Sequence, residues 1–575
     1  MFANNPTLKF FIQQVKRYRK ETIIGTLLLI VTNALGVYIP IQIKHTIDLF
    51  VSKGLKPGAE VWISLAIIAS LALVMAAIRT QSRVVLFGIG RRVESDQKQE
   101  FYEHLLKLDM VYFNTQRIGD LISRATNDIQ AIRQMMGFGL LNLINIVWVY
   151  SLTLPLMYSL NKSLTIWIMV GYVPILFFVR LLSIKLKHKQ QEAQEKLGSL
   201  SSFIEEDING IQVIKSYSQE RREISRFEQI NTDYRDVSVG LAQWRGVIWP
   251  IMELAKGISF FLLLLYVNQG LLTAGTVAAF LVCLERILFP TAIIGWLITI
   301  FQRGSVSVER IQEILRIEPS IINHSPNELK VKDGELKIKD LNLAYEQENL
   351  VLKDLTLNVK PGNFVGIVGT IGSGKSTFCN SVMRLLNVPP QAINVDEQDI
   401  VGVSLPSLRE QVTLVPQETF LFNTTIKQNI SFAGEFSEEE IIKAAKDAQL
   451  HDEISGFENG YETLVGEKGV SLSGGQAQRV ALARAIITNP KILILDDSIA
   501  SVDNEIGVRI LNSLRQRFKE QTLILVTHRI SSLKDADEIF VLDNGTCIGS
   551  GKHGHLLRTN EVYQKLWKKQ KLAIV

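Results

Sequence analysis

The chain is 575 residues long with 47% hydrophobic and only 21% charged residues, and its mean hydropathy of +0.17 excludes an ordinary soluble multidomain enzyme and an intrinsically disordered chain. Lys and Arg number 62 against 57 Asp and Glu, a formal charge of +5, and so small an excess at this size gives no support to a nucleic-acid partner. The three cysteines, Cys283, Cys379 and Cys547, are odd in number and widely separated, which argues against a disulfide framework and a zinc site.

The opening MFANNPTLKFFIQQVKRYRK lacks the short apolar core and small-residue cleavage site of a signal peptide. Its Lys9, Lys16, Arg17, Arg19 and Lys20 predict an amphipathic lead-in helix on the membrane surface, retained in the mature protein. Apolar stretches follow near residues 22–45, 60–90, 136–160, 164–183, 247–268 and 272–302. Each reaches the roughly 20 residues that span a bilayer, which predicts six transmembrane helices.

Basic residues crowd the N-terminal segment and the connections over residues 91–133 and 185–245, whereas the alternate connections, near residues 160–162 and 269–273, are short and nearly uncharged. Both termini are therefore expected on the cytoplasmic side. The two basic connections hold helix-forming strings such as ESDQKQEFYEHLLKLDM and KLKHKQQEAQEKLGSLSSFIEEDI. The membrane helices are thus expected to continue into the cytoplasm, at about 1.5 Å per residue.

Near residue 320 the composition turns polar, and the runs LKIKDLNLAY, FVGIVG, VTLVPQ, ILILDD, LILVTH and EIFVLD alternate with helical stretches. The expected organisation is an all-α transmembrane domain over residues 1–320 and an α/β domain over residues 325–575. FVGIVG leads into GTIGSGKS, a GxxxxGK[ST] phosphate-binding loop in its strand-to-helix setting. Gly369, Thr370, Ile371, Gly372, Ser373 and Gly374 would close backbone N–H groups around the phosphates of ATP. Lys375 would supply positive charge, and Ser376 and Thr377 open the following helix, with the Ser376 hydroxyl on Mg²⁺. ILILDD ends in Asp496 and Asp497, of which Asp496 would hold the Mg²⁺ shell and Asp497 face the attacking water.

Between these lies LSGGQAQRVALARA, residues 472–485. This string resembles the signature of the ATP-binding-cassette family, and with the membrane half in front the chain is similar to an exporter half-transporter over its whole length. A multi-pass protein of the bacterial cytoplasmic membrane is implied, one that moves small amphipathic compounds. The spans exclude a DNA-repair or translation cassette. The resemblance also implies that Tyr345 stacks on adenine, that Gln417 senses metal and water, and that His528 reaches the terminal phosphate. TLVGEKG (residues 463–469) and Asp503 complete the motif set. Two cassettes of this family close head to tail, so Ser473, Gly474, Gly475 and Gln476 would contact ATP held by a second half-transporter chain. YFNTQRIGDLISRATNDI (residues 112–129) and EEDINGIQVIKSYSQE (residues 205–220) resemble coupling segments that dock on the cassettes.

Hydrolysing cassettes carry Glu where this chain has Asp497, and the missing methylene withdraws the carboxylate by about 1.5 Å. Ile499 and Ala500 also replace the usual small polar pair. The asymmetry resembles the Asp-containing half of bacterial heterodimeric multidrug exporters, with weak hydrolysis at its own ATP site. A homodimeric lipid or drug exporter, and an ATP-gated channel or regulatory subunit, are the alternatives. Arg79, Arg83, Glu253, Lys256, Glu285 and Arg286 are the candidates for a substrate cavity, with pairing of Glu253 and Lys256 as the structural reading. Trp148, Trp167, Trp244 and Trp249 are read as interfacial anchors.

Overall fold

The computed structural model describes residues 6–53, 58–270, 272–321, 326–345, 350–466 and 472–572. The first five residues of the predicted lead-in helix, residues 467–469 of TLVGEKG and the Trp249 side chain lie outside them. The chain forms two compact units, Met1–Leu106 with Gly119–Ile317, and Lys107–Ile118 with Glu318–Val575.

The first unit is helical. Helix Pro6–Arg17 buries Phe10 and Gln14 and leans on helix Ala274–Leu315, where Phe11 meets Phe301 at 5.7 Å and Thr7 bonds Ser305 at 2.7 Å. The lead-in helix therefore has a protein partner along one side. Among the described residues, Arg19–Ser52, Ala59–Leu105, Ile118–Leu160 and Ala274–Leu315 are long and apolar enough to cross a membrane. The shorter apolar segments Lys162–Gly171 and Lys256–Asn268 occupy the two remaining predicted spans, on helices Lys162–Asn209 and Ile248–Asn268.

Helix lengths exceed what a bilayer needs. Ala59–Leu105 has 47 residues and Lys162–Asn209 has 48, about 70 Å each against a hydrocarbon core of about 30 Å. Pro40, Pro155, Pro174 and Pro290 sit inside helices, as membrane helices tolerate where neighbours recover the freed backbone groups. Beside Pro290, the Thr291 hydroxyl donates to the Ile287 carbonyl at 2.7 Å and meets the Tyr150 hydroxyl at 2.5 Å.

Towards its hydrophilic end this unit is tied by charge. Asp120 pairs with Arg124 at 2.7 Å and with Arg310 at 2.5 Å, and Arg310 reaches the buried Asp128 at 2.9 Å. Ser307 donates to Asp128 at 2.7 Å. These bonds join the π-helical turn Arg124–Asp128, and Asp120 just before it, to helix Ala274–Leu315.

The second unit holds two sheets. Strands β1 (Leu336–Ala344), β2 (Leu350–Val359), β4 (Ile393–Val395) and β5 (Gln398–Asp399) form an antiparallel sheet in the order β2-β1-β4-β5. The larger sheet runs β10-β9-β3-β8-β7-β6, from β3 (Phe364–Gly369), β6 (Val412–Val415), β7 (Ile492–Asp496), β8 (Thr522–Val526), β9 (Glu538–Asp543) and β10 (Thr546–Gly551). It is parallel except for β10. Every residue of β3, β7 and β8 is buried, as continuous apolar runs covered on both faces require. The six strand runs predicted from sequence correspond to β1, β3, β6, β7, β8 and β9, and the prediction lacks β2, β4, β5 and β10. Residues 107–118 group with this unit, where the Asp109 carboxylate accepts the backbone N–H groups of Ser320 (2.7 Å) and Ile321 (3.2 Å).

Candidate nucleotide-binding site

Parallel strands deliver ligand-binding groups at their C-terminal ends, beside the strand order's crossover points. β3 ends in Gly369, whose Cβ, were there one, would stand 2.3 Å from the Leu542 carbonyl. The loop then turns through Gly372 (φ 79°) and Gly374 (φ 93°) before helix Lys375–Val382. Positive φ at the helix entrance is what glycine allows without steric cost. It opens the helix N-terminus and its unpaired N–H groups to an anion.

Lys375 folds back over this loop. Its Nζ donates to the carbonyls of Thr370 (2.8 Å) and Gly369 (3.0 Å) and to Ser373 Oγ (3.3 Å). Burial lowers its pKa, and the nearby Asp496 and Asp497 carboxylates act in the opposite sense. The loop backbone is braced by Thr370, whose hydroxyl donates to Asp543 at 3.0 Å. Ile371 is fully exposed at the loop tip.

Asp496 is buried at the end of β7. Burial pushes its carboxyl above the usual carboxylate range, a hydrogen bond from Ser376 opposes this, and the neighbouring Asp497 adds to it. A dry carboxylate bonded to a hydroxyl at a phosphate loop has the hard oxygen donors that Mg²⁺ takes, and Mg²⁺ binds through one or two carboxylates plus phosphate oxygens. The residues fit that ion. Among the described residues there is no cluster of three His, Cys, Asp or Glu side chains that would hold a metal by protein ligands alone.

Asp497 has a left-handed backbone (φ 46°), and its N–H donates to the Val526 carbonyl at 2.8 Å. Asp adopts this region more readily than most residues. Its side chain turns toward the segment after β8: Oδ2 lies 2.8 Å from His528 Nδ1, and Oδ1 accepts from Thr527 at 3.2 Å. The pair is one-sided in exposure, with Asp497 at 13% and His528 at 61%. Tyr345 stands exposed with its hydroxyl 3.2 Å from Thr377 Oγ1, beside the loop helix. Gln417 is exposed two residues past β6, whose Val415 pairs with Leu495 of β7.

The signature residues lie in a second neighbourhood. Ser473 caps helix Gly474–Ile487 in a reciprocal arrangement: its hydroxyl accepts from the Gln476 N–H at 3.2 Å, and its own N–H donates to Gln476 Oε1 at 2.9 Å. Gln476 also donates to Glu453 at 2.9 Å, and Arg479 grips both Glu453 oxygens at 2.6 and 3.0 Å. A Cβ on Gly475 would stand 2.9 Å from the Ser501 carbonyl. Among the described residues no bond joins Ser473–Gln476 to the phosphate loop of the same chain. The structure thus gathers Tyr345, Gly369–Thr377, Asp496, Asp497 and His528 in one place and presents Ser473, Gly474, Gly475 and Gln476 in another.

Three supporting residues escaped the sequence reading. Arg529 donates to the carbonyl of Ala500 and, at 3.2 Å, to Asn504 Oδ1, so it holds the loop that precedes Asp503. Gln478 accepts the Ser501 N–H at 3.0 Å. Glu453 anchors the signature cap. Arg529 had a signal in its place directly after His528, whereas Glu453 had none. Ile499 packs its side chain on the core.

The ABC transporter transmembrane region family matches residues 22–291, and the ABC transporter family matches residues 352–500. The uncharacterized ABC transporter ATP-binding protein YknU of Bacillus subtilis is 34% identical over 96% of this chain and 95% of its own length. The probable multidrug resistance ABC transporter ATP-binding/permease protein YheI of Bacillus subtilis is 31% identical over 97% of this chain and 96% of its length. The ATP-dependent lipid A-core flippase of Syntrophus aciditrophicus is 29% identical over 98% and 95%. A solved bacterial Atm1-family ABC exporter with ATP bound superposes with a TM-score of 0.78 at 25% identity, covering 96% of this chain and 98% of that one. A helical membrane region fused to an α/β cassette with this site defines a membrane-integral exporter driven by ATP hydrolysis. The chain belongs to the ABC transporter family.

Proposed function

We propose that the chain is one half of a heterodimeric exporter of amphipathic compounds and that its own ATP site hydrolyses slowly. The observation that carries this reading is the Asp497 side chain, one methylene shorter than Glu and engaged by His528 and Thr527. A general base acts within about 2.6–3.2 Å of its proton or through one water, and a short carboxylate held toward the β8 segment is poorly placed for that. Ser473, Gly474, Gly475 and Gln476 are intact and would complete the ATP site of a partner that carries Glu at the base position. In this reading Tyr345 stacks on adenine, Lys375 faces the terminal phosphates, and Ser376, Asp496 and Gln417 hold Mg²⁺, which neutralises phosphate charge.

Names among the relatives include a multidrug resistance transporter and a lipid flippase, and both classes of cargo are amphipathic. The second coupling segment supports docking on a cassette, because its short helix Ile211–Ser216 exposes Ile211 and Val213, with Ile208 and Tyr217 beside it. The distribution of basic residues supports both termini on the cytoplasmic side, and the bacterial exporters among the relatives support placement in a bacterial cytoplasmic membrane. The test is purification of the chain alone and together with a Glu-bearing half, followed by steady-state ATPase and uphill dye transport in sealed vesicles. Activity confined to the mixed pair supports the reading. Equal turnover by this chain alone refutes the heterodimer, and dye flow only down its gradient refutes the pump.

A further inference from the structure

The six ionisable side chains singled out for a substrate cavity divide into two groups. Lys256 bonds Glu253 at 3.0 Å and Glu285 at 3.2 Å, so both acids share one ammonium. Glu253 and Lys256 thus pair on one helix face. Arg286, next in sequence to Glu285, belongs to the other group, with Arg79 and Arg83.

The setting of Arg286 is polar but neutral. Its Nη2 donates to the Asn33 carbonyl at 2.9 Å and to Asn33 Oδ1 at 2.8 Å, and the Asn33 amide donates onward to Asn145 at 3.1 Å. The guanidinium fills a gap left by Gly36, where a Cβ would stand 1.4 Å from Nη1. Its Nε is buried with no hydrogen-bond partner. Arg79 and Arg83 are four apart on helix Ala59–Leu105, hence on one face, and Arg79 contacts the Met75 sulfur at 3.8 Å. The charge of Arg83 acts on Arg79, and that of Arg79 on Arg286. Among the described residues no carboxylate pairs with any of the three.

A guanidinium keeps its proton in any protein setting, so this concentration of positive charge in an apolar layer is costly until an anion joins it. Arginine matches carboxylate, phosphate or sulfonate through two parallel N–H bonds. We propose that Arg79, Arg83 and Arg286 form a binding site for the anionic group of an amphipathic cargo, whose apolar part lies along the surrounding helices. The inference rests on the export reading above and narrows its substrate to anionic amphiphiles.

The test uses the full chain assembled with its partner half in discs of zwitterionic lipid. The probes are a fluorescent dodecyl phosphate and the corresponding uncharged dodecyl alcohol, followed by anisotropy. The phosphate should bind about tenfold tighter than the alcohol, and Arg79→Gln or Arg83→Gln should each remove most of that advantage while changing alcohol binding by less than about twofold. Both positions are exposed, so these variants avoid the packing that Arg286→Gln would disturb. Competition by phosphatidylglycerol added to the discs would identify a lipid headgroup as the natural anion, and its absence a soluble amphiphile; both support the site. Equal affinity for the two probes overturns it. So do variants that split the assembled pair without altering probe selectivity, because the arginines would then be meeting a carboxylate of the partner. Uphill export of an uncharged dye, with no preference for the phosphate, would leave the pump standing and remove only this inference.

Discussion

Asp497 Oδ2 and His528 Nδ1 lie 2.8 Å apart, across the gap between the ends of β7 and β8. The two residues expected to act on the terminal phosphate therefore bind each other. If the proposed slow site is right, Asp497→Asn removes a carboxylate of little weight in turnover, so steady-state ATPase of the assembled pump should fall by no more than about threefold, roughly 0.7 kcal/mol of barrier. Asp497→Glu restores reach, at the cost of placing a longer side chain at a left-handed backbone position. It should raise turnover at this site if the partner's signature is competent.

Ser473→Arg places bulk and charge where the partner's ATP is expected to dock and also removes the hydroxyl that caps helix Gly474–Ile487. ATPase of the pair should drop at least about a hundredfold, well beyond the roughly 1 kcal/mol that a lost cap alone explains. Ser473→Asn keeps a capping side chain without the charge and should retain far more activity. Equal losses in the two variants would assign the effect to folding.

Lys375→Ala deletes the ammonium that crosses the phosphate loop and should abolish nucleotide photolabelling of this chain. Tyr345→Ala should weaken labelling about fivefold to tenfold, in line with the loss of one aromatic stacking contact. Wild-type labelling of Lys375→Ala would remove the phosphate-loop assignment.

Arg529→Met frees the Ala500 carbonyl and Asn504, loosening the loop between Asp497 and Asp503. We expect kcat of the pump to fall about tenfold with the ATP concentration for half-saturation unchanged, because the guanidinium positions the loop without a place at the phosphates. A parallel loss of ATP binding would contradict that positioning role.

Asp496 carries a pKa raised by burial. The folded state therefore binds its proton more tightly than the unfolded chain, so this group favours folding at pH values below its unfolded pKa. That contribution is lost as pH rises through the folded pKa, and at neutral pH the buried charge costs stability. Asp496→Asn should raise the nucleotide-free Tm at pH 7.5, with the gain shrinking as the pH is lowered toward the acid range. The same variant should lose the further stabilisation by ATP with Mg²⁺. A Tm difference independent of pH would contradict this account of the carboxyl.

Legibility in the sequence followed the range of the interactions. GTIGSGKS, ILILDD and LSGGQ announce themselves because glycine turns, buried strands and a helix cap are written in consecutive residues. The alternation in LVLKDLTLNV is also local although β2 is absent from the predicted runs, and β4 and β5 are too short, at three and two residues, to show a period. What no local pattern encodes is which way a side chain turns. Gly36 looks like any glycine in an apolar run until Arg286, 250 positions away by sequence number, fills the space where its Cβ would be. The partnership of Asp497 with His528 likewise depends on β7 and β8 lying side by side, which pairs Asp496 with Val526.

The central claim, that the two ATP sites of the pump are unequal, is tested most directly by vanadate trapping of photoreactive ATP in the assembled pair, with the label counted on each chain. Unequal sites predict trapped hydrolysis product on the partner's phosphate loop and intact ATP on the loop of Lys375. Product trapped equally on both chains, or chiefly on this one, would contradict the account.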